Sequence, residues 1–251
     1  MKQKISIITV CYNAEKEIEK TLRSVENQTF KDYEFIIVDG ASKDSTIQII
    51  QRYLNIVTCV VSEKDNGIYD AMNKGIKIAS GEWIIMLNAG DVFADDSVLE
   101  NVFKINIPDD INVLYSDYYH YLSDGTKIKG IVDLKNKPSF NHQCTIYRRK
   151  LHDLHGYYIV TPKIIISDIL FFYSIPSNQM QKIDTVIAIF DRNGISSHGN
   201  WSLQQWLCAD VIFRKRTFTN MVLTYYSKKI KKIIPQEIKF KLKHILFGKS
   251  N

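Results

Sequence analysis

Residues 5–11 read ISIITVC and open a series of four apolar runs, which FIIV at 35–38, VTCVV at 57–61 and WIIML at 83–87 continue. Each run is short and rich in β-branched or large apolar residues, which is typical of strands buried inside a sheet. The four runs therefore predict a sheet in the core of the first hundred residues.

Helix-like segments separate the four runs. Residues 14–27 place Ile18 and Leu22 at helical spacing, and residues 46–54 and 68–79 follow the second and third runs. Strands and helices that alternate at this pitch predict an α/β fold, with a mostly parallel central sheet and helices on both faces. Ligands of such sheets bind at the carboxyl ends of the strands.

The second half of the chain is less regular. Strands are expected at residues 113–115, 127–132, 142–147 and 183–190, the first two around a turn. Residues 164–173 fit either a helix or a buried strand, because periodicity does not separate the two in a short apolar run.

The composition is that of a soluble globular protein, with 45% apolar and 24% charged residues. No apolar run approaches the ~18–20 residues that cross a bilayer, and the start of the chain fits a core strand better than a signal peptide. The four cysteines are scattered, without a CxxC pair. That spacing argues against a zinc ribbon and favours free thiols and a cytoplasmic location.

Charge is divided unevenly along the chain. Counting Lys and Arg against Asp and Glu, residues 1–210 carry a net charge of −4 and residues 211–251 carry +10. We therefore expect a folded body over 1–210 and a basic amphipathic extension over 211–251. Ile238 and Leu242 share a helical face of this tail, although IKFKLK also alternates as a strand would.

Basic amphipathic segments bind anionic membrane surfaces. The tail thus predicts a peripheral position on the cytoplasmic face of the membrane. A solvated helix packed on the body remains the alternative. Nucleic acid is not an expected partner, because the basic run comes without a recognisable nucleic-acid-binding module.

Acidic residues follow three of the predicted strands, at Asp39, Asp65 and Asp91. Like charges that converge on one crevice repel each other unless a cation or hydrogen-bond donors neutralise them. A bound metal with a nucleotide ligand would do so. The first strand lacks a following GxGxxG, which argues against a dinucleotide dehydrogenase.

Two stretches carry a resemblance to a known family: ISIITVCYNAEKEIEKTLRSVENQTFKDYEFIIVDGASKDST and SEKDNGIYDAMNKGIKIASGEWIIMLNAGD. They resemble glycosyltransferase family 2, whose members have the GT-A nucleotide-sugar-binding fold, and especially its bacterial polysaccharide branch. The likeness is close over residues 3–105 and weakens up to about residue 200. It implies a nucleotide-binding half over 1–105 and an acceptor-binding half over 106–210.

The resemblance implies a set of residues that bind the nucleotide sugar, with Asp39 as the partner of the base, most often uracil. A carboxylate can accept the N3–H of uracil, which gives this position a physical reason. A turn or helix cap is the structural alternative for Asp39, and a plain turn for Gly67. The implied residues are Thr9, Tyr12, Asn13, Asp39, Asp65, Asn66, Gly67, Asn73 and Asn88.

The implied metal motif departs from the family pattern. Family members usually have a DXD-like run after the fourth strand, whereas this chain has Asn88-Ala89-Gly90-Asp91. Asp91 would be the metal ligand, and Asn88 offers a neutral amide oxygen, to Mg²⁺ or Mn²⁺. One carboxylate can suffice when phosphate oxygens complete the coordination of Mg²⁺. Capping of the next helix is the alternative role of Asp91.

The family also implies a catalytic base and acceptor or diphosphate contacts. Asp168 is the candidate base of an inverting transfer, because an acid inside a strongly apolar stretch is costly to bury without a task. A Ser167-Asp168 helix cap is the alternative. Contacts to the acceptor or the diphosphate are expected from His142, Gln143, Arg192, Ser196 and His198.

These observations predict a metal-dependent inverting glycosyltransferase. It would move a sugar from a nucleotide-diphosphate sugar, most often a UDP-sugar, to a glycan or lipid-linked acceptor in cell-surface polysaccharide synthesis. Three alternatives stay open: a retaining transferase or nucleotidylyltransferase on the same fold, a nucleotide-sugar-binding scaffold that has lost activity, and a basic-tailed adaptor for membranes or RNA.

Overall fold

The computed structural model describes residues 4–121, 124–134, 141–190 and 200–233. The chain divides into two compact units, Met1–His198 and Gly199–Asn251. The boundary expected at residue 210 therefore lies inside the second unit, within a helix.

The strands of the described residues all lie in the first unit. They are β1 (Ile5–Cys11), β2 (Tyr33–Asp39), β3 (Cys59–Ser62), β4 (Trp83–Met86), β5 (Val92–Phe93), β6 (Val113–Tyr115), β7 (Tyr118–Tyr121), β8 (Lys127–Gly130), β9 (Thr145–Arg148), β10 (Met180–Lys182) and β11 (Ala188–Ile189).

The α-helices follow the same order along the chain. They are α1 (Ile18–Glu26), α2 (Thr46–Gln51), α3 (Ile68–Ile78), α4 (Val98–Lys104), α5 (Leu151–His155), α6 (Ser167–Tyr173), α7 (Asn200–Ile212) and α8 (Phe218–Ile233). Short 3₁₀ helices occupy His142–Cys144 and Ser177–Gln179.

The main sheet has seven strands in the order β10-β6-β9-β4-β1-β2-β3. β9 runs antiparallel to its neighbours β4 and β6, and the other pairs are parallel. A smaller sheet has the order β5-β11-β7-β8. The carboxyl ends of β1 to β4 therefore lie along one edge of the main sheet, where this fold class binds ligands.

Helices cover both faces of the main sheet. Successive side chains of a strand point to opposite faces, and Ile5 and Ile7 of β1 share a core cluster with Leu22 of α1. Ile8 points to the other face, where α3 packs closely enough that a Cβ on Gly75 would lie 2.5 Å from Ile8 Cγ2. The predicted α/β fold with a mostly parallel sheet is confirmed.

The second half differs from its expected strands in two places, and the structure decides one run that the sequence left open. Residues 142–147 begin as a 3₁₀ helix and become a strand only at Thr145. The run 183–190 divides between the sheets: Ile183 N donates to Tyr115 O of the main sheet, and Ala188–Ile189 pair with β5. The ambiguous run 164–173 is helical from Ser167 onward.

The second unit contains α7 and α8, which pack on each other. Gln204 Nε2 donates to the Tyr225 hydroxyl at 2.9 Å, and Arg216 Nε lies 3.0 Å from the buried Asp210 carboxylate. Within the described part of the chain, no helix combines the length and the apolar character that a membrane span requires.

Candidate active site

Asp39 ends β2 and is fully buried. Its Oδ2 accepts hydrogen bonds from Ser42 N at 3.0 Å and from Ser62 Oγ at 2.7 Å, and the Ser42 hydroxyl donates to Oδ1. These bonds tie the loop after β2 to the end of β3. Contact between Asp39 and a nucleotide base stays a prediction.

The edge of the main sheet at the carboxyl ends of β1 to β4 is called the rim below. Its first loop follows β1. Thr9 is buried, and its hydroxyl donates to Leu87 O at 2.6 Å, which joins β1 to the residue after β4. Asn13 has a positive φ of 48° and accepts a hydrogen bond from Lys43 N on Oδ1. Tyr12 is 61% exposed, so its ring is free to stack on a planar ligand.

The loop after β3 leads directly into α3. Asp65 Oδ1 accepts a hydrogen bond from Gly67 N at 2.9 Å, and Asp70 Oδ2 accepts one from Asn66 N at 2.9 Å. Gly67 has a φ of 108°, which a residue with a Cβ rarely adopts. A Cβ on Gly40 would lie 2.6 Å from Asp65 Oδ2, so the loops after β2 and β3 meet at this point.

Asn73 lies on α3 and faces the protein interior. Its Nδ2 donates to Tyr158 O at 2.8 Å, and its Oδ1 accepts from Tyr158 N at 3.0 Å. Both polar ends of the side chain thus bind the backbone of the segment before α6. In this structure Asn73 fixes that segment, and the sugar contact implied by the resemblance stays a prediction.

Asn88 and Asp91 follow β4, next to β1. Among the described residues, Asn88 Oδ1 and Asp91 Oδ2 are buried oxygens without a hydrogen-bond partner. Burial raises the pKa of the Asp91 carboxyl to about 7, against the opposing effects of His142 and Gln143. Buried oxygens of this kind can bind an ordered water, a ligand or a cation.

The donor set therefore fits a hard divalent cation in chemistry, since carboxylate and amide oxygens are ligands of Mg²⁺ and Mn²⁺. It is sparse, because no cluster of three or more His, Cys, Asp or Glu side chains poised for a metal occurs in the described ranges. A cation bound here would need further oxygens, such as the phosphate oxygens of a nucleotide.

A chain of hydrogen bonds connects Asn88 with α6. Asn88 Nδ2 lies 2.9 Å from His142 Nε2, and His142 Nδ1 lies 2.8 Å from Asp168 Oδ2. The Tyr69 hydroxyl donates to Asp168 Oδ1 at 2.8 Å. The structure thus brings the candidate base Asp168 and His142 together, next to the rim residue Asn88.

Protonation in this chain follows from its donors. Burial alone would lower the pKa of His142, but its hydrogen bond to Asp168 and the charge of that carboxylate outweigh burial and raise the pKa of the ring. Burial alone would raise the pKa of Asp168, but the bonds from His142 and Tyr69 outweigh it and hold that pKa below its ordinary value. Asp168 is therefore ionised at neutral pH, the form that a base requires.

The remaining expected contacts fall in two groups. Gln143 lies close enough to the Asp91 carboxylate to lower its pKa, which places Gln143 at the rim. Arg192, Ser196 and His198 lie outside the described residues. Tyr69 was missed from the sequence, although it stands inside a stretch that carries the resemblance, because its contact with Asp168 depends on how α3 and α6 pack.

The family model for glycosyl transferase family 2 matches residues 6–169. Among curated proteins, the chain is 28% identical over 140 residues to a cholesterol galactosyltransferase of Borreliella burgdorferi, covering 55% of this chain and 39% of that protein. It is 30% identical over 167 residues to a PGL/p-HBAD biosynthesis glycosyltransferase of Mycobacterium bovis, covering 64% of this chain and 65% of the relative. The chain thus spans less than two thirds of either relative.

Solved structures share the fold. Residues 1–349 of S. aureus TarS in complex with UDP-GlcNAc superpose with a TM-score of 0.66 at 20% identity, covering 83% of this chain and 67% of that one. The mannosyltransferase PcManGT of Pyrobaculum calidifontis, in complex with GDP-Man and Mn²⁺, gives a TM-score of 0.66 at 15% identity, covering 86% and 65%. The predicted GT-A fold is confirmed by these likenesses.

Proposed function

This chain belongs to glycosyl transferase family 2, and we propose that it moves a sugar from a nucleotide-diphosphate sugar, a UDP-sugar, to a hydroxyl of a glycan or lipid-linked acceptor. The observation that carries this proposal is the series of hydrogen bonds from Asp168 through His142 to Asn88, with lengths of 2.8 and 2.9 Å. These bonds support Asp168 as the base, because they connect its carboxylate to the edge of the sheet at which this fold class binds ligands.

The donor would lie along the carboxyl ends of β1 to β4. The exposed Tyr12 ring and the loop Asp65-Asn66-Gly67 would hold the nucleoside, with Gly40 leaving room between them. Solved relatives were captured with UDP-GlcNAc and with GDP-Man, so a nucleotide-sugar donor is consistent with the shared fold.

The reaction would be a single inverting displacement. Asp168 removes the proton of the acceptor hydroxyl while that oxygen bonds to the anomeric carbon. The bond from the anomeric carbon to the diphosphate breaks, and the diphosphate leaves with the electron pair. Water has to be limited at the site, because it would compete with the acceptor.

A divalent cation fits the rim, where Asn88 Oδ1 and Asp91 Oδ2 would hold it. When bound, it would neutralise the charge of the diphosphate. Burial raises the pKa of the Asp91 carboxyl to about 7, and a cation beside it would favour the ionised form that metal binding requires.

The second unit supports a membrane-associated enzyme. Leu223, Tyr226 and Ile230 of α8 are 66%, 57% and 55% exposed, and their spacing places them on one face of the helix. The sequence 211–251, which includes α8, carries a net charge of +10. An apolar stripe with basic flanks suits the surface of an anionic bilayer, where a lipid-linked acceptor would be found.

The test is transfer by the full chain, with donors first selected by thermal shift from UDP-, GDP- and dTDP-sugars in Mn²⁺. Asp168→Asn should lower turnover by about 10²–10⁴-fold, because general base catalysis supplies about that factor. The donor should still raise the melting temperature of this variant. Asp153→Asn, an exposed acid on α5, is the matched control and should keep full activity.

Each result decides between the alternatives. Full activity of Asp168→Asn contradicts the assignment of the base. Donor binding without transfer by the unaltered chain, across a panel of glycan and lipid-linked acceptors, supports the binding-only scaffold. A product with the anomeric configuration of the donor identifies a retaining transferase.

A further inference from the structure

Tyr69 connects α3 with α6, the helix of Asp168. The loop Asp65-Asn66-Gly67, called the donor loop below, directly precedes α3. It lies in the first turn of α3, is 9% exposed, and donates its hydroxyl proton to Asp168 Oδ1 at 2.8 Å. Asp168 lies in the first turn of α6. The bond therefore joins two elements that are about a hundred residues apart in sequence.

Packing does not account for the hydroxyl of Tyr69. Its ring contacts the Tyr158 ring, with centroids 5.7 Å apart, and a phenylalanine would keep that contact. Burial first, and then the neighbouring Asp168 carboxylate, raise the pKa of the Tyr69 phenol. The phenol therefore stays protonated and acts as a donor across the physiological pH range.

The backbone just before Tyr69 is tightly held. Gly67 N binds Asp65 Oδ1, and Asn66 N binds Asp70 Oδ2, so the donor loop and the first turn of α3 form one unit. On the other side, Ser167 Oγ accepts a hydrogen bond from Ile159 N at 2.5 Å, which anchors the start of α6. The Tyr69 hydroxyl thus joins two segments that are each fixed locally.

We propose that Tyr69 is a positioning residue of the transfer reaction, which holds the Asp168 carboxylate in place and ties it to the donor loop Asp65-Asn66-Gly67. This inference rests on the proposed function, because it assigns Tyr69 to the same base. Tyr69 itself need not touch either substrate.

The titratable groups around Asp168 determine how a change at Tyr69 should alter the pKa of Asp168. His142 faces its Oδ2 from the 3₁₀ helix and Tyr69 its Oδ1 from α3, while Tyr147 of β9 and Tyr158 lie within the influence of its charge. Of these, Tyr69 is a neutral donor whose bond lowers the pKa of Asp168. Loss of this bond should raise that pKa, so that the base becomes protonated at a higher pH.

The experiment compares Tyr69→Phe with Tyr158→Phe in the full chain. Tyr158 supplies a matched control, because its hydroxyl is also buried but lies 3.3 Å from the Tyr147 hydroxyl instead of binding Asp168. For Tyr69→Phe we expect a kcat lower by about tenfold and a donor KM within about twofold of wild type. Asp91 should set a first acidic limb of kcat/KM near pH 7, and Asp168 should set a second acidic limb at lower pH. This second limb, followed in each comparison below, should move upward by about one pH unit. Tyr158→Phe should leave the limb in place.

A second variant keeps the proposal testable if Tyr69→Phe folds poorly. Replacement of Tyr69 by 3-fluorotyrosine preserves the shape of the ring and makes the phenol a stronger donor, so the acidic limb should move downward. An unmoved limb in either folded variant overturns the inference. Loss of transfer in Asp168→Asn together with an unmoved limb in Tyr69→Phe would leave the proposed function standing and remove only the role of Tyr69.

Discussion

Gly40 shows how single residues shape the rim of the sheet. A Cβ at this position would lie 2.6 Å from Asp65 Oδ2 and 3.3 Å from Tyr12 Cδ2. The atoms in the way belong to side chains that line the proposed nucleoside site, and none of the three closest is backbone. The absence of a side chain at Gly40 therefore serves the shape of the site more than the folding of the chain.

Gly40→Ala should weaken donor binding by about tenfold while changing the free energy of unfolding by less than about 1 kcal/mol. The added methyl group pushes Asp65 away from Gly67 N, and the half-buried Asp65 can rotate at small cost. Titration calorimetry with the donor and urea denaturation measure the two quantities. In the Asp65→Ala background the effect of Gly40→Ala on binding should largely disappear, and an undiminished effect would contradict the mechanism.

The residues of the candidate site fall into two sets, those whose position the sequence predicts and those whose position it does not. Asp39, Asp65 and Asp91 end or follow apolar runs, so their place on the rim follows from the strand pattern. The bonds of Asp168 to His142 and Tyr69 join residues 26 and 99 positions apart in the chain. Such contacts form only when distant elements pack together, and they leave no periodic pattern in the sequence from which they could be predicted.

At the scale of elements, His152 of α5 joins a strand to a helix. Its Nε2 lies 3.0 Å from the Tyr147 hydroxyl of β9, its Nδ1 lies 3.0 Å from Gly156 O, and its ring stacks on Phe171 of α6 with centroids 4.4 Å apart. Burial, the main cause, lowers the pKa of His152 from 6.5 to about 4. This cluster supports the helix on which Asp168 stands.

His152 should make the protein less stable as the pH falls from about 6.5 to about 4. In this window the unfolded chain binds a proton at His152 and the folded chain does not, so acid favours unfolding. The loss should reach roughly 3 kcal/mol at pH 4. Urea denaturation of wild type and His152→Gln across this range measures it.

Two results would bear on the role of His152. His155→Gln, on the exposed side of the same helix, should keep the wild-type dependence of stability on pH. His152→Gln is expected to be less stable at pH 7 but to lose less stability in acid. An identical acid slope in wild type and His152→Gln would show that other groups control the acid response.

The strands β1 to β4 of the first half were predictable, as were β6 and β8 of the second half, whereas β5, β7 and β10 were not. β1, β2 and β4 are central strands, whose continuous apolar sequences come from burial on both faces. β5 and β11 have two residues each and exist because they pair with each other. Pairing between distant short segments leaves little periodicity in the sequence, so β5 and β7 of the smaller sheet escaped prediction.

At the scale of the whole molecule, the basic sequence and the exposed face of α8 coincide in the second unit. Leu223, Tyr226 and Ile230 form the exposed stripe. The sequence predicted a basic amphipathic tail with its apolar face at Ile238 and Leu242, which lie outside the described residues. The stripe on α8 extends that prediction to a segment whose exposure is described.

Replacing Leu223, Tyr226 and Ile230 together by serine should reduce binding to vesicles of phosphatidylglycerol and phosphatidylcholine by at least about tenfold. These side chains would bury apolar surface in the lipid interface, and each is worth about 1.5–3 kcal/mol when fully buried. Vesicle sedimentation at low and high salt measures the loss. Leu54→Ser, which removes an equally exposed side chain from the first unit, should bind as wild type does. Unchanged binding of the triple variant would rule out this face as the membrane contact.

The sequence by itself determined the α/β class, the parallel strands of the first half, the family and the acidic rim, because these follow from local apolar runs and from residues next to strand ends. Tertiary structure decided the rest: the antiparallel insertion of β9 between β4 and β6, the burial of Asp39 among serines, and the meeting of Tyr69, His142 and Asp168. The physical reason is the separation along the chain of the residues that interact. Burial patterns repeat along a chain, whereas hydrogen bonds between distant elements exist only after those elements have packed.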